Sequence, residues 1–561
     1  MSDLEEIYAL FQNGALDDAQ TAIESFLWTE QNNAKAFHLA GLIYKAQKNL
    51  AKAHQSVTQS LQINPKDPEV LNTMGNLFQD LGDIAKAQIA YEASLSIRGG
   101  YEAALKNLAF LQLKANHPLA AIEILEGLTA AQPENDTYRL GYALALKDSE
   151  QAARALEELS ACKDQDSDEH IWLKATILFD LGEYEETIKL AKSLQGVPNY
   201  STKSIALTSQ ILHMQDRWPE AEEYLTTLSQ THKGSAQVQY ASAKAFIQSG
   251  HKNAAQNIID QAMPRFGNDA ADLLALQAQL SRDTGDYKGA YGKALAALTA
   301  RQGDITLMRE LALCAIANGQ NNDALHIAQT ALAQNPNDQF WIAIRATAGR
   351  ADGQNYQYYY DYEKFVRAYD LNPPKGYSSI EGFNADLKTA VQEIHSFKKA
   401  PLDQSVRGGI QTSPNLIYFE HPILKLFFQM LDEPLNDYLN VIGHDQQHPL
   451  LRRNKGQYRI YSAWSVLLSA GGHHVNHIHP QGWISSSYYI DVPDGIEKDA
   501  NKQGWIQFGE PPFTAPNLKA ELQIAPKAGQ VILFPSYMWH GTIPIQGGVS
   551  RMTLPFDVVP A

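Results

Sequence analysis

Cysteine is almost missing from this chain of 561 residues. Cys162 and Cys314 are the two it has, far apart and both in helix-forming text. A disulfide framework is not expected, and a reducing, cytoplasmic home is. No apolar run reaches the length of a membrane span. The segment from Met1 to Gly14 is acidic and lacks the apolar stretch of a signal peptide. Positive charge is also short. Lys and Arg number 46 against 62 Asp and Glu, giving a formal net charge of −16, with no Lys/Arg-rich block. A nucleic-acid partner is therefore not expected. With 44% apolar and 19% charged residues the chain is foldable rather than disordered, and its length calls for at least two domains.

What is present first is a repeat. Gly41, Tyr44, Ala53, Ser60 and Pro65 return as Gly75, Phe78, Ala87, Ser94 and Gly99, then as Ala109, Gln112, Ala121, Leu128 and Pro133. Gly285 and Ala290 recur as Gly319 and Ala324. Looser units lie between, around Leu181-Gly182-Glu183-Tyr184 and Asp216-Arg217-Trp218-Pro219. Apolar residues at i, i+3 and i+4, such as Leu39, Leu42 and Ile43, predict amphipathic helices. Asn64-Pro65, Gln132-Pro133 and Asn335-Pro336 should end the second helix of a unit, because proline cannot continue it. One hairpin cannot bury its apolar face alone, so such hairpins stack. Over residues 1–350 this resembles the tetratricopeptide repeat family, with about ten units of which the fifth and sixth are degenerate. The resemblance implies a superhelical solenoid whose concave face holds a protein or peptide. The alternative is a solenoid used for assembly, and a homodimer is left open.

Residues 351–376 form a junction. Gly353-Gln354-Asn355-Tyr356-Gln357-Tyr358-Tyr359-Tyr360-Asp361-Tyr362 breaks the repeat register, and Asn372-Pro373-Pro374-Lys375-Gly376 reads as a stiff connector. The tyrosines suit packing between solenoid and next domain better than an aromatic shelf. Helices are expected over Ile380–His395 and about Pro422–Leu439, with a polar, glycine-containing loop from Pro401 to Thr412 between them.

After Gly456 the pattern turns to period two. Candidate strands are Tyr458–Ser469, Val475–His479, Ile484–Val492, Trp505–Phe508, Glu521–Ile524, Gln530–Phe534 and Arg551–Val558, separated by turns such as Gly471-Gly472, Pro526-Lys527-Ala528-Gly529 and Gly547-Gly548. Many short strands predict a sandwich or barrel. On a strand, His477 and His479 would face the same side. His540 follows the strand ending at Phe534-Pro535, and Arg551 and Thr553 share one face further on.

Gly471-Gly472-His473, His477-Ile478-His479-Pro480, Gly482-Trp483, Tyr488-Tyr489, Gly504-Trp505-Ile506, Leu533-Phe534-Pro535-Ser536, His540, Arg551 and the loop Gln404–Thr412 carry a second resemblance. Over about residues 355–561 the chain resembles the 2-oxoglutarate- and iron(II)-dependent oxygenases often fused to tetratricopeptide repeats. The resemblance implies a double-stranded β-helix (jelly roll) with flanking helices over residues 377–561. It implies Fe(II) held by His477, His479 and His540, and 2-oxoglutarate anchored by Arg551 with help from Thr553. The planar guanidinium fork suits a carboxylate. The implied reaction is oxidation, most simply hydroxylation, of a protein or peptide presented by the solenoid.

The chain departs from the two-histidine, one-carboxylate pattern: the position two after His477 is His479, not Asp. Asp491 and Glu510 are the carboxylates that could make up the deficit. His473 and His474 are assigned to a loop, and Asp557 to a structural role. Ser486 stands where the family often has glycine, and Pro555 should mark an edge or bulge. Two other readings stay open. One is a three-histidine, cupin-like dioxygenase that does not use 2-oxoglutarate. It would want a glutamate three or four residues beyond His479, where Gly482 and Trp483 stand, and it has no role for Arg551. The other is a non-catalytic scaffold with a degenerate oxygenase domain.

Overall fold

The repeat is written into the backbone as well as the side chains. In this computed structural model, which describes residues 3–267, 270–354, 356–513, 515, 517–546 and 550–561, inter-helix turns carry a residue of positive φ. These are Gly14, Lys48, Gly82, Asn116 and Glu150, then Gly182, Asp216 and Gly250, then Gly285, Gly319 and Gly353. A left-handed residue ends a helix by letting the next N–H turn back onto its last carbonyls. Glycine does this freely, so composition betrays only some of these turns; Lys48 and Glu150 do it without a signal.

From Asp3–Gln12 to Asn321–Gln334 the described residues form ten helical hairpins, and Gln339–Ala351 follows. The small residues of the repeat are packing requirements. A Cβ on Gly41 would come within 2.5 Å of Val57 Cγ2, and one on Gly75 would run into the Tyr91 ring. Ala53, Ala87 and Ala121 are fully buried. The second helices end at Ile63, Ala131 and Gln334, just before the three predicted Xaa-Pro stops. The two degenerate units have second helices of 9 and 10 residues, Ala152–Ser160 and Tyr184–Ser193, against 14 in Leu50–Ile63. No helix among the described residues is long and apolar enough to cross a membrane.

By its contacts the chain divides into two compact units, Met1–Gly182 and Glu183–Ala561. The second holds the later helices together with every strand, so the limit expected at residue 350 falls inside it. The tyrosine segment is part of that joint. Tyr360 is buried and stacks on Tyr537 at 6.2 Å between ring centroids. The Tyr537 hydroxyl donates to the Tyr359 carbonyl (2.8 Å), and the Tyr362 hydroxyl to Glu521 (2.8 Å). The packing reading of the tyrosines holds; Asn355 lies outside the described residues.

The strands are β1 (Arg367–Asp370), β2 (Val406–Gln411), β3 (Tyr458–Ala463), β4 (Val466–His474), β5 (Ile484–Asp491), β6 (Ile506–Phe508), β7 (Leu522–Ile524), β8 (Gln530–Pro535), β9 (His540–Thr542), β10 (Arg551–Leu554) and β11 (Phe556–Pro560). They make two antiparallel sheets. One runs β1-β8-β5-β10-β4-β2, with β11 pairing β5 and β3; the other is β7-β6-β9. The fold is a helical solenoid followed by antiparallel sheets with flanking helices, as the sequence pattern predicts.

Several expected elements are corrected. Tyr458–Ser469 is two strands, broken where the Thr412 hydroxyl accepts from the Ser465 N–H. Arg551–Val558 is also two, broken at Pro555, which has no N–H for a ladder. The Ser486 hydroxyl patches that break, accepting from the Phe556 N–H (2.9 Å) and donating to its carbonyl (2.8 Å). A glycine could not do this. The loop from Pro401 contains β2, which pairs with β4 through a bulge. There Gly409 lies so close that a Cβ would sit 2.6 Å from the Leu467 carbonyl oxygen. The helix expected over Pro422–Leu439 is two, Pro422–Met430 and Asp432–Ile442. The turn expected at Gly547-Gly548 lies outside the described residues.

Candidate active site

Val475–His479 is not a strand, yet His477 and His479 still converge. Two backbone bonds dock the segment on β9: His477 N–H to His540 O (2.8 Å) and His540 N–H to His477 O (3.0 Å). The His479 N–H donates to Ser536 O (3.0 Å), just beyond the end of β8. One ring nitrogen from each of His477, His479 and His540 lies within 4.8 Å of the others, and the Nε2 atoms of His477 and His479 are 3.1 Å apart. Ligands about 2.1 Å from one metal, at right angles, stand about 3 Å from each other.

The outward nitrogens are tied. His477 Nδ1 meets Val475 O (2.9 Å), His540 Nδ1 meets Met538 O (3.0 Å), and His479 Nδ1 meets both Asp557 oxygens (2.7 and 2.8 Å). An acceptor at each Nδ1 puts the proton there and leaves Nε2 a lone pair. Burial, reinforced by neighbouring imidazoles, pushes His477 down to about 3 and holds His540 well below the usual histidine range. Both rings are therefore neutral at neutral pH, the form that ligates.

Asp557 is more than a structural residue. It is buried, and accepts from the Ser485 hydroxyl (2.7 Å) as well as from His479. It sets one negative charge directly behind the ring that replaces the expected carboxylate. Asp491 and Glu510 do not make up the deficit: Asp491 pairs with Lys388 (2.6 Å) and Glu510 with Lys519 (3.2 Å). His473 and His474 end β4 rather than lying in a loop. His474 stacks on His477 (5.8 Å), and Ser405 Oγ bridges His474 Nδ1 (2.9 Å) and His477 Nε2 (3.3 Å). Changing Asp557 to Asn should lower metal affinity about 10- to 100-fold, the usual effect of removing the partner of a ligating imidazole. Titration against a coloured chelator, with circular dichroism as the fold control, would measure it.

Arg551 and Thr553 lie on β10, 2% exposed each, and both line the same cavity of about 640 Å³ as the three histidines. The Arg551 guanidinium donates through one Nη to the Gly504 carbonyl and lies over the Tyr489 ring at 5.5 Å. Its Nε has no hydrogen-bond partner among the described residues. Burial lowers its pKa, with the Tyr489 ring pulling the other way. A buried cation with a free donor and no paired carboxylate among the described residues carries an uncompensated desolvation cost, which an anion would offset. Trp464 and Phe534, with ring centroids 5.5 Å from His479 and 4.6 Å from His540, wall the imidazoles.

Comparison with known families agrees with this geometry. Residues 462–557 match a family model described as "Putative 2OG-Fe(II) oxygenase". Residues 34–67, 68–101 and 212–280 match tetratricopeptide repeat models. Among solved structures, the chain is similar to PilW, a widely conserved type IV pilus biogenesis factor (21% identity, 35% of this chain, 93% of that one, TM-score 0.32). It is also similar to pilF of Pseudomonas aeruginosa (13%, 35% and 91%, 0.32) and to a tetratricopeptide repeat protein of Parabacteroides merdae (14%, 51% and 99%, 0.34). No curated protein matches the chain. The triad of imidazoles lies inside the segment that matches the oxygenase model, and that segment follows segments that match tetratricopeptide repeat models.

Proposed function

We propose that this protein is an iron(II)- and 2-oxoglutarate-dependent dioxygenase that hydroxylates a protein or peptide. One observation carries the reading: three imidazoles with inward lone pairs and one buried, anion-seeking arginine open on the same cavity. His477, His479 and His540 would hold iron(II), with Asp557 behind His479 in place of the carboxylate ligand that the usual triad has there. The guanidinium of Arg551 would pair with the distal carboxylate of 2-oxoglutarate, and the Thr553 hydroxyl would add a hydrogen bond. Iron(II) with its cosubstrate supplies dioxygen activation coupled to decarboxylation of 2-oxoglutarate to succinate and carbon dioxide. The chain's own part is to fix the rings, orient the cosubstrate and keep bulk water out behind Trp464 and Phe534. The two antiparallel sheets would be the two faces of a jelly roll. The free, buried Cys162 and Cys314 fit a reducing cytoplasm.

A three-histidine dioxygenase working without 2-oxoglutarate would leave Arg551 an uncompensated buried charge, and an inert scaffold would have no use for the triad. The test is anaerobic titration of metal-free protein with iron(II) and then 2-oxoglutarate. A weak visible charge-transfer band needing both additions is expected. Iron binding without any response to 2-oxoglutarate would favour the cupin-like chemistry, and retention of no metal would favour the scaffold.

A further inference from the structure

The second unit contains a second large hollow, about 890 Å³, between solenoid helices and the catalytic sheet. One wall comes from Ser201–Met214, Ala236–Gln248, Lys252–Phe266 and Ala271–Asp283, the other from residues 398–402 and strands β2 and β4. The seam is held by backbone bonds from the Lys398 and Lys399 N–H groups to Met214 O (3.0 and 3.2 Å).

Its charge is the reverse of the chain's. Lys252, Arg282, Lys398, Lys399 and Arg407 line it, and Asp283 is its only acidic lining residue among those described. Three of the cations have partners: Lys252 with Asp283 (2.9 Å), Lys399 with Asp216 (2.6 Å) and Arg282 with Glu310 (3.3 Å). Lys398 and Arg407 are exposed and pair with no carboxylate among the described residues. His213, on the same wall, is pushed down to about 4 by burial and by Lys399 and Arg407. Between the cations lie apolar patches, Leu402, Ile410 and Val475 among them.

The hollow is not closed off from the catalytic cavity. Gln248, Leu402, Arg407 and Val475 line both. The Val475 carbonyl is the acceptor that fixes the His477 ring. A chain lying in the hollow and passing Arg407 therefore reaches the triad directly.

We infer that this cleft is the substrate's approach path, and that the substrate is a protein segment with acidic residues flanking the one that is oxidised. This rests on the oxygenase reading for the word substrate, but the binding preference stands on the cleft alone. A net charge of −16 and only two unpaired cations argue against a nucleic acid, while interleaved apolar patches suit side chains of a peptide.

The test is fluorescence anisotropy of the full chain with a fluorescein-labelled decapeptide of alternating glutamate and glycine. A lysine-glycine decapeptide and a thymidine oligonucleotide of equal length serve as comparisons. Binding of the acidic peptide alone is expected, lost in 1 M salt, where the Debye length is about 3 Å. Lys252→Glu with Lys398→Glu, both exposed, should weaken it at least about tenfold while leaving the iron and 2-oxoglutarate band intact. No preference for the acidic peptide, tighter binding of the oligonucleotide, or binding unmoved by the two reversals would overturn the inference. A band without acidic-peptide binding would sink the cleft and spare the oxygenase. Acidic-peptide binding sensitive to the reversals, with no band, would do the opposite.

Discussion

Replacing His540 by alanine is expected to lower iron(II) affinity by more than about 100-fold, since losing a ligand must exceed the 10- to 100-fold that losing a ligand's partner costs. The charge-transfer band and 2-oxoglutarate turnover should disappear with it. The geometry makes His540 the most telling of the three. It is 6% exposed, its Nδ1 is committed to Met538 O, and its main chain clamps His477 through two hydrogen bonds. Those bonds are backbone to backbone, so the alanine variant keeps the clamp and loses only the imidazole. The matching control is His473→Ala, whose ring nitrogen meets the Gly471 carbonyl within β4; it should bind iron as the parent does. Calorimetric iron titration under nitrogen would read both. Parent-like iron affinity in His540→Ala would mean that the metal, if any, sits elsewhere.

Arg551→Ala should separate the two ligands. Removing one partner of a buried charged pair costs about 2–5 kcal/mol, equivalent to about 30- to 4,000-fold weaker 2-oxoglutarate binding at 1.4 kcal/mol per decade, with iron affinity unchanged. Arg551→Lys should recover only part, since a point charge cannot reproduce the fork. The orphaned Nε adds a sharper expectation. In the absence of ligand the guanidinium is a buried charge without a counter-ion among the described residues, so Arg551→Met should melt no lower than the parent, and 2-oxoglutarate should raise the parent's melting temperature alone. A variant that simply unfolds, in contrast, would show Arg551 to be a structural residue.

These side chains were visible in the sequence through spacing together with the family resemblance: two histidines one residue apart, a third after a strand, and an arginine and a threonine on one face, whose roles the resemblance supplied. The solenoid was visible because its small residues recur in register and its second helices stop at proline. What stayed hidden depends on pairing across distance. Asp557 is 78 residues from His479 and reaches it because β11 pairs with β5, setting Asp557 opposite Ser485. A carboxylate two residues after a proline carries no local sign of that. Ser405 looked like loop polarity until β2 paired with the end of β4, placing it against His474 and His477. The segment Val475–His479 has strand-like text but directs its backbone N–H groups to Ser405, β9 and Ser536, a choice that only the folded neighbours dictate.

The joint between the last solenoid helix and the sheets limits how the protein can be divided. The Arg350 guanidinium donates to the carbonyls of Gly509 (2.8 Å) and Lys519 (2.6 Å), and the buried Trp539 indole donates to the Thr347 hydroxyl (2.8 Å). A fragment beginning at residue 377 would leave Trp539, one residue before His540, with its N–H stranded, at about 1–3 kcal/mol for each such group. It would also strip the Tyr360 ring from Tyr537. Grafting residues 377–561 onto another carrier would therefore require rebuilding that seam.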